Sequence, residues 1–454
     1  MKPAIPCNGP EVAALLTRAL DPAQEFVDGG TTLGSVHGMA AWLRRQFADD
    51  LERQTLCLAT DNRDLIAAAL LSSLAGGPIV LLPYSFSAQA LSGLHQATGC
   101  RHALVDPEQP PPPGMEPIRP LGEGGGTAAP LPAIYPDEEL LRLYTGGTTG
   151  APQLWSKTGT NLFGEALFLA AHFAVSSSDR IVATISPAHI YGLLYSVLLP
   201  LVSGASVVPG IPSFPEEIVR CVRERKATVL VSVPPHYRVL RGKGCLGDAL
   251  RLAFSSAGML DVTDNNAFSL ANRCGIVEIY GSTETGGIAL RNRSCGERGF
   301  TPYSTIDWQI HNQRLQIRSP YLSPSLPLDA AGGYLANDWV EADGATAFQL
   351  RGRTDSVIKV GGKRVDLEEV KAAIKYMQGV SDCLVLALPD RGSREHRIVA
   401  LVEGPFVEIE DIRTLLMTRF EPYALPGAIK TIDRLPVTDN GKVDREAVLK
   451  LFMP

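Results

Sequence analysis

The chain has 454 residues, 45% of them hydrophobic and 20% charged, which excludes global disorder and supplies core enough for roughly two to four domains. Its 42 Lys and Arg against 48 Asp and Glu give a formal net charge of -6, and no basic block interrupts it, which argues against a nucleic-acid partner. The eight cysteines form neither a CxxC pair nor a Cys/His ligand spacing and read as reduced, structural thiols of a reducing compartment.

The first sixteen residues, MKPAIPCNGPEVAALL, hold too short an apolar run for a signal peptide. Up to about residue 280, short apolar runs at 78–82, 180–185, 227–232, 250–255 and 275–280 alternate with helical patterns at 161–173, 215–225 and 262–273. That alternation predicts stacked βαβ units around mostly parallel sheets. Between Pro107 and Pro136 half of the 30 residues are Pro or Gly, which reads as a linker or surface excursion between two lobes.

Residues 181–215 carry no Asp, Glu, Lys or Arg, a stretch long enough to span a membrane. Pro187, Pro200, Pro209, Pro212 and Pro215, with Gly192, Gly204 and Gly210, cut it into pieces of strand and helix length. The expectation is a buried strand, helix and strand, no stable membrane insertion, and a soluble, cytoplasmic protein. After about residue 300 short alternating strands appear at 305–311 and 314–318. Residues 354–454 read as a self-contained α+β domain: a strand at 356–360, a helix at 367–376, strands at 383–387 and 397–402, a further helix and a basic tail. The predicted fold class is α/β. A large N-terminal domain (1–353), with stacked βαβ subdomains and a β-rich subdomain, precedes a small α+β C-terminal domain (354–454).

Four motifs carry chemistry. The first is Tyr144-Thr145-Gly146-Gly147-Thr148-Thr149-Gly150, between an apolar strand and a helical pattern. Its glycines expose backbone N–H groups and its threonines add hydroxyl donors, which suits a polyphosphate. It fits an ordinary Gly-rich turn as well, and it is no Walker loop, because no Gly-Lys-Ser/Thr follows. The second, Tyr280-Gly281-Ser282-Thr283-Glu284-Thr285, offers an aromatic face, hydroxyls and a carboxylate to a purine, a phosphate and Mg²⁺. It also fits a strand end capping a helix. The third joins Asp338 with Gly352-Arg353-Thr354-Asp355 and the 358–365 stretch containing Gly361 and Gly362; the fourth is a Gly441-Lys442 turn. Taken singly, the last two are solvated turns and charged faces.

In their order and spacing the four resemble the core motifs of the ANL superfamily of adenylate-forming enzymes: acyl- and aryl-CoA ligases, adenylation domains and luciferases. The resemblance runs from Tyr144 to Arg445, about two thirds of the chain, and takes in 186–192 and 255–260. It implies ATP and Mg²⁺ as cofactors. Thr145, Gly147, Thr148, Thr149 and Gly150 would hold the ATP phosphates. Tyr280 would stack on adenine, whose edge would lie along the Ser256, Ala257 and Gly258 backbone, and Gly281 and Ser282 would also bind the nucleotide. Thr283 would contact the α-phosphate and Glu284 the Mg²⁺. Asp338, helped by Arg353, would take the ribose hydroxyls. Lys442 would bridge the attacking carboxylate and the α-phosphate, where charge gathers. Asp355 would be the hinge of a mobile C-terminal domain, and Gly361 and Gly362 would line a thiol tunnel.

One departure stands out. The phosphate loop in this family usually ends Thr-Gly-x-Pro-Lys, and here it reads Thr149-Gly150-Ala151-Pro152-Gln153. Lys157 either reaches back to replace the missing cation or is an exposed surface lysine.

The resemblance places the acid pocket at His189, Tyr191 and Gly192. Adenylation domains for α-amino acids put an Asp in the segment matching 186–192, because a buried ammonium needs a carboxylate. Here that segment is Ser-Pro-Ala-His-Ile-Tyr-Gly. The expected substrate is therefore a carboxylic acid without an α-amine, of hydroxybenzoate or cinnamate type. His189 is a ring-hydroxyl partner, an aromatic gate for the acceptor thiol, or a packed core histidine. Short chains with a Gln-ended phosphate loop are similar to the ligases of aryl polyene and xanthomonadin-type pigment clusters, which load an aryl acid onto an acyl carrier protein. The alternatives are an aryl- or fatty-acyl-CoA ligase, with CoA as acceptor, and a nucleotide-binding module without turnover.

Overall fold

A computed structural model describes residues 21–48, 53–83, 86–120, 135–145, 153–353, 357–360, 363–389, 396–404, 407–437 and 443–452. By contacts these form a large and a small unit, one reaching to Trp308 and including Ile317–Tyr334, the other comprising Gln309–Gln316 and the residues from Leu335 onward. The expected domain boundary at 353/354 differs from this contact grouping, in which Gln309–Gln316 and 335–353 fall with the C-terminal residues.

Two sheets build the large unit. The first runs Glu116–Ile118, His102–Val105, Thr55–Ala59, Ile79–Leu82, Glu139–Thr145, Gln153–Thr158, parallel except for its last pair. Ile79–Leu82 is buried along its whole length, the signature of a parallel strand covered on both faces. The Pro/Gly-rich stretch does not separate lobes here. It supplies the edge strand Glu116–Ile118, and the chain rejoins the same sheet at Glu139–Thr145.

The second sheet runs Thr301–Pro302, Gly286–Asn292, Ile276–Ser282, Leu252–Ser255, Val229–Ser232, Arg180–Ala183, Ser206–Val207. Its last five strands are parallel. The chain leaves Arg180–Ala183 for Ser206–Val207 on one side and then crosses to Val229–Ser232 on the other, so the strand order reverses at that point. In open α/β sheets the crevice beyond such a reversal is where ligands bind. The charge-free stretch 181–215 thus forms strand, helix and strand as expected. Among the described residues no helix is long and apolar enough to cross a membrane. The seven described cysteines are all unpaired.

A four-stranded sheet, most of whose residues fall in the small unit, is ordered Asp307–His311, Arg314–Arg318, Tyr334–Asp343, Ala347–Arg353, and Val357–Val360 pairs with Lys363–Asp366. A three-stranded sheet follows, of Asp382–Pro389, His396–Glu403 and Ala428–Ile432. Alternation along Asp382–Pro389 sends Cys383 and Val385 to one face, against Val370 and Ile374 of one helix and Ile412 and Leu416 of another. Leu384, Leu386 and Leu388 face the other way, onto Val448 and Phe452 of the terminal helix.

Candidate active site

The Tyr280–Thr285 motif is a hairpin, not a strand end capping a helix. Ile276–Ser282 pairs antiparallel with Gly286–Asn292, with a register irregularity between Tyr280 and Gly281. Glycine is needed on both arms. A Cβ on Gly281 would collide with the Gly286 carbonyl oxygen, and Gly286 sits at φ 68° with Glu165 Oε2 2.7 Å from where its Cβ would be. The Ser282 and Thr285 hydroxyls meet at 2.9 Å, and the Ser282 amide donates to Thr285 Oγ1 at 3.0 Å. Thr283 and Glu284 are thereby left half-buried at the tip.

Lys157 belongs to this turn. It is 1% exposed. Its ammonium donates to the carbonyl oxygens of Tyr321 at 2.8 Å and of Glu284 at 3.1 Å. It is therefore neither an exposed surface lysine nor free to reach back to the phosphate loop. Burial drives its pKa down, opposed by the charges of Glu165 and Glu284. Glu165, also buried, is driven up by desolvation against the Gly287 amide and Lys157. In a strand of mixed pattern a single lysine reads as solvated; carbonyl partners more than a hundred residues away leave no local signal.

Beside the hairpin, the Tyr280 ring lies 5.8 Å from Phe300, which carries the Arg291 guanidinium 4.3 Å over its own face. Ser256 Oγ donates to the Ile279 carbonyl at 3.0 Å, tying the 255–260 strap to the strand that carries Tyr280. Ala257 follows at φ 67°, a left-handed conformation unusual for a residue with a side chain. Both Ala257 and Gly258 are exposed, so this backbone is accessible next to Tyr280.

At the strand-order reversal a chain of polar side chains closes the carboxyl ends of the strands. His236 Nδ1 lies 2.7 Å from Thr184 Oγ1, whose hydroxyl lies 2.8 Å from Ser232 Oγ. The Tyr191 hydroxyl donates to the Ser232 carbonyl at 3.2 Å. Burial lowers the His236 pKa, which favours the neutral ring. The sequence reading missed His236; its signal was a histidine in the first helical turn after a fully buried strand, Val229–Ser232. His189 is half-buried, and its carbonyl accepts the Leu193 amide at 2.7 Å. Gly192 is a close-approach glycine, since a Cβ there would run into the Ser186 carbonyl. Segment 186–192 holds no carboxylate of its own, but Asp61, an exposed residue, accepts the Ser186 hydroxyl at 2.6 Å.

In the small unit Asp338 stands directly across the strands from Arg353. The two residues expected at the ribose are thus backbone neighbours, despite their separation along the chain. Gly352, in the same hairpin, has φ 120°.

Gly147, Thr148, Thr149, Gly150, Asp355, Gly361, Gly362 and Lys442 lie outside the described residues. Thr145 ends its strand opposite Gln153. Residues 146–152 therefore join two antiparallel strands, not a strand to a helix, and the helix Gly159–His172 begins only after the second of them.

Among the described residues no three His, Cys, Asp or Glu side chains gather as a metal cage. Mg²⁺ bound through nucleotide phosphates needs only one or two protein carboxylates. Glu284, at the tip of a turn whose backbone is held on the inside, fits that role.

Residues 36–335 match the AMP-binding enzyme family, and residues 369–442 match the AMP-binding enzyme C-terminal domain. The chain belongs to the AMP-binding enzyme family. The match agrees with the adenylate-forming superfamily that its motifs resemble. This AMP-binding enzyme is 27% identical over 449 residues to an anthranilate–CoA ligase of Pseudomonas aeruginosa, covering 86% of its own length and 85% of that relative. It is 25% identical over 386 residues to a mitochondrial malonate–CoA ligase of Mus musculus, covering 70% of its own length and 65%, less than two thirds, of the relative. The crystal structure of ATP-bound MatB from Rhodopseudomonas palustris shares the fold at 18% identity, with a TM-score of 0.82 over 97% of this chain and 98% of that one.

Proposed function

We propose that this AMP-binding enzyme uses ATP to activate a carboxylic acid as its acyl-adenylate, releasing pyrophosphate, and passes the acyl group to a phosphopantetheine thiol. The observation that carries the reading is the hairpin tip. A hydroxyl and a carboxylate, Thr283 and Glu284, stand on a fixed turn beside an aromatic ring, Tyr280, and an accessible backbone strap, Ser256–Gly258. Phosphate, Mg²⁺ and adenine have their chemical complements there. Mg²⁺, when bound, would neutralise phosphate charge during displacement of pyrophosphate. In this reading Thr145, Thr148 and Thr149 hold the phosphates, Asp338 and Arg353 the ribose, and Lys442 the attacking carboxylate. Residues 354–454 move about Asp355 between the two half-reactions.

The acid is of aryl type. Neutral His236 with Thr184 and Ser232, and the Tyr191 ring, offer hydrogen-bonding groups and an aromatic wall at the reversal point, and segment 186–192 supplies no buried counter-ion for an α-ammonium. The named activity of the anthranilate–CoA ligase relative points the same way. The acceptor is an acyl carrier protein. A carrier offers the pantetheine arm without the adenosine diphosphate of CoA, and the chain holds no dense basic cluster beyond Lys359, Lys363 and Arg364. A second reading, CoA as acceptor, is favoured by the names of the relatives. Thioester formation with aryl, fatty and α-amino acids, each offered a holo carrier protein and free CoA, tests both choices. Aryl acids on the carrier should react fastest. Equal or faster turnover with CoA overturns the acceptor, and preference for α-amino acids overturns the acid class.

A further inference from the structure

The buried cation at Lys157 has no role in the chemistry just described, although its position ties it to Glu284. Taking an ammonium out of water is costly unless nearby groups compensate. Here two main-chain carbonyls do so, those of Glu284 at 3.1 Å and Tyr321 at 2.8 Å. The Glu284 carbonyl also accepts the Ser323 amide at 2.8 Å, and Ser323 Oγ donates to the Ser156 carbonyl at 2.7 Å. The segment carrying Tyr321 and Ser323 is thereby clipped both to the strand bearing Lys157 and to the hairpin tip.

On the far arm, Glu165 is 2% exposed and its Oε1 accepts the Gly287 amide at 2.8 Å. Lys157 is the penultimate residue of the strand Gln153–Thr158 and Glu165 lies in the helix Gly159–His172 that follows it. One strand–helix unit thus grips the hairpin at its tip and on its second arm, a cation on the carbonyl of residue 284 and a carboxylate on the amide of residue 287. Both side chains bond main-chain groups of the turn that carries Thr283 and Glu284 or of the arm that follows it.

We propose that Lys157 and Glu165 are positioning residues of the adenylation site, fixing the main chain at the Glu284 carbonyl and at the Gly287 amide just beyond it, so that the Glu284 carboxylate is held ready for Mg²⁺-nucleotide. The proposal rests on the reading of Glu284 as the metal ligand.

The test compares wild type, Glu284→Ala, Lys157→Met and Glu165→Gln. It measures the binding of a fluorescent ATP analogue with and without Mg²⁺ and no acid, the Mg²⁺ dependence of acid-driven pyrophosphate exchange, and the thermal midpoint. In folded Lys157→Met, Mg²⁺ should lose about tenfold of its tightening effect on the analogue, and exchange should fall in kcat by about 10- to 100-fold with the KM for the acid unchanged. Glu165→Gln keeps an acceptor for the Gly287 amide and should retain more of both. If Lys157→Met does not fold, the doubly neutral K157M/E165Q replaces it under the same criteria. Folded variants with wild-type Mg²⁺ response and kcat, beside a Glu284→Ala that has lost both, overturn the proposal alone. A Glu284→Ala with an unchanged Mg²⁺ response overturns the metal reading and the proposal with it.

Discussion

Lys442→Ala is expected to lose acyl-adenylate formation by roughly 10²- to 10³-fold, as removal of one preorganised charge does, while still passing a pre-made acyl-adenylate to the thiol. Asp355→Pro should do the reverse, keeping pyrophosphate exchange and losing thioester formation. The opposite outcomes would follow if, as proposed, the small domain serves the half-reactions in two orientations. In the first, the Lys442 ammonium would stand at the α-phosphate as the carboxylate attacks. In the second, it would be carried away and the Gly361-Gly362 loop would reach the thiol. Proline fixes φ near -65° and removes a backbone donor, so at the proposed hinge it would restrain that rotation without touching the first state. The two half-reactions can be measured separately, by exchange of labelled pyrophosphate into ATP and by thioester formation from synthetic adenylate. Wild-type behaviour of both variants would make the two residues surface charges. Equal loss of both half-reactions in folded protein would remove the hinge.

Glu284→Ala should lower adenylate formation by about 10²-fold or more in Mg²⁺. The expectation has a geometric basis in the large unit. The turn that carries Glu284 is held by the Ser282–Thr285 hydroxyls, by the Ser323 amide and Lys157 ammonium on the Glu284 carbonyl, and by Glu165 on the Gly287 amide. Replacing the side chain leaves all of these backbone contacts in place. The variant should therefore fold and melt like wild type, and its defect should appear in the chemical step and in the Mg²⁺ requirement. A near wild-type rate at ordinary Mg²⁺ concentration would take the metal away from Glu284.

Some elements could be read in the amino-acid sequence for a definite reason. Strands such as Ile79–Leu82 and Val229–Ser232 are buried throughout, so their apolar runs stand out. The helix Pro215–Glu224 shows a clear amphipathic pattern because it packs Ile218 and Val222 inward and keeps its charges outside. The turn at Glu284 was harder. A Ser-Thr-Glu-Thr stretch after a strand suits a helix cap, and Gly286 and Gly287, which make room for Glu165 and Tyr303, decide for a hairpin only once those side chains are present in space. Lys157 and His236 follow the same rule: each acquires its role from partners on other elements. The pairing of Asp338 with Arg353 was implied by the family resemblance, but that they stand opposite one another follows from strand register, which local pattern does not specify. The Pro/Gly-rich composition of 107–136 marks irregular chain but hides Glu116–Ile118, whose strand character comes from its parallel neighbour His102–Val105.

The central claim is that this AMP-binding enzyme joins a carboxylate to the α-phosphate of ATP. Acid-dependent exchange of labelled pyrophosphate into ATP measures that step alone, before any thiol is involved. With the intact protein, Mg²⁺ and a panel of aryl, fatty and α-amino acids, the account predicts exchange that is absent without acid and strongest with an aryl acid, and AMP as the nucleotide product once a thiol acceptor is added. Binding of ATP with no exchange on any acid, or release of ADP and phosphate in place of AMP and pyrophosphate, would contradict it.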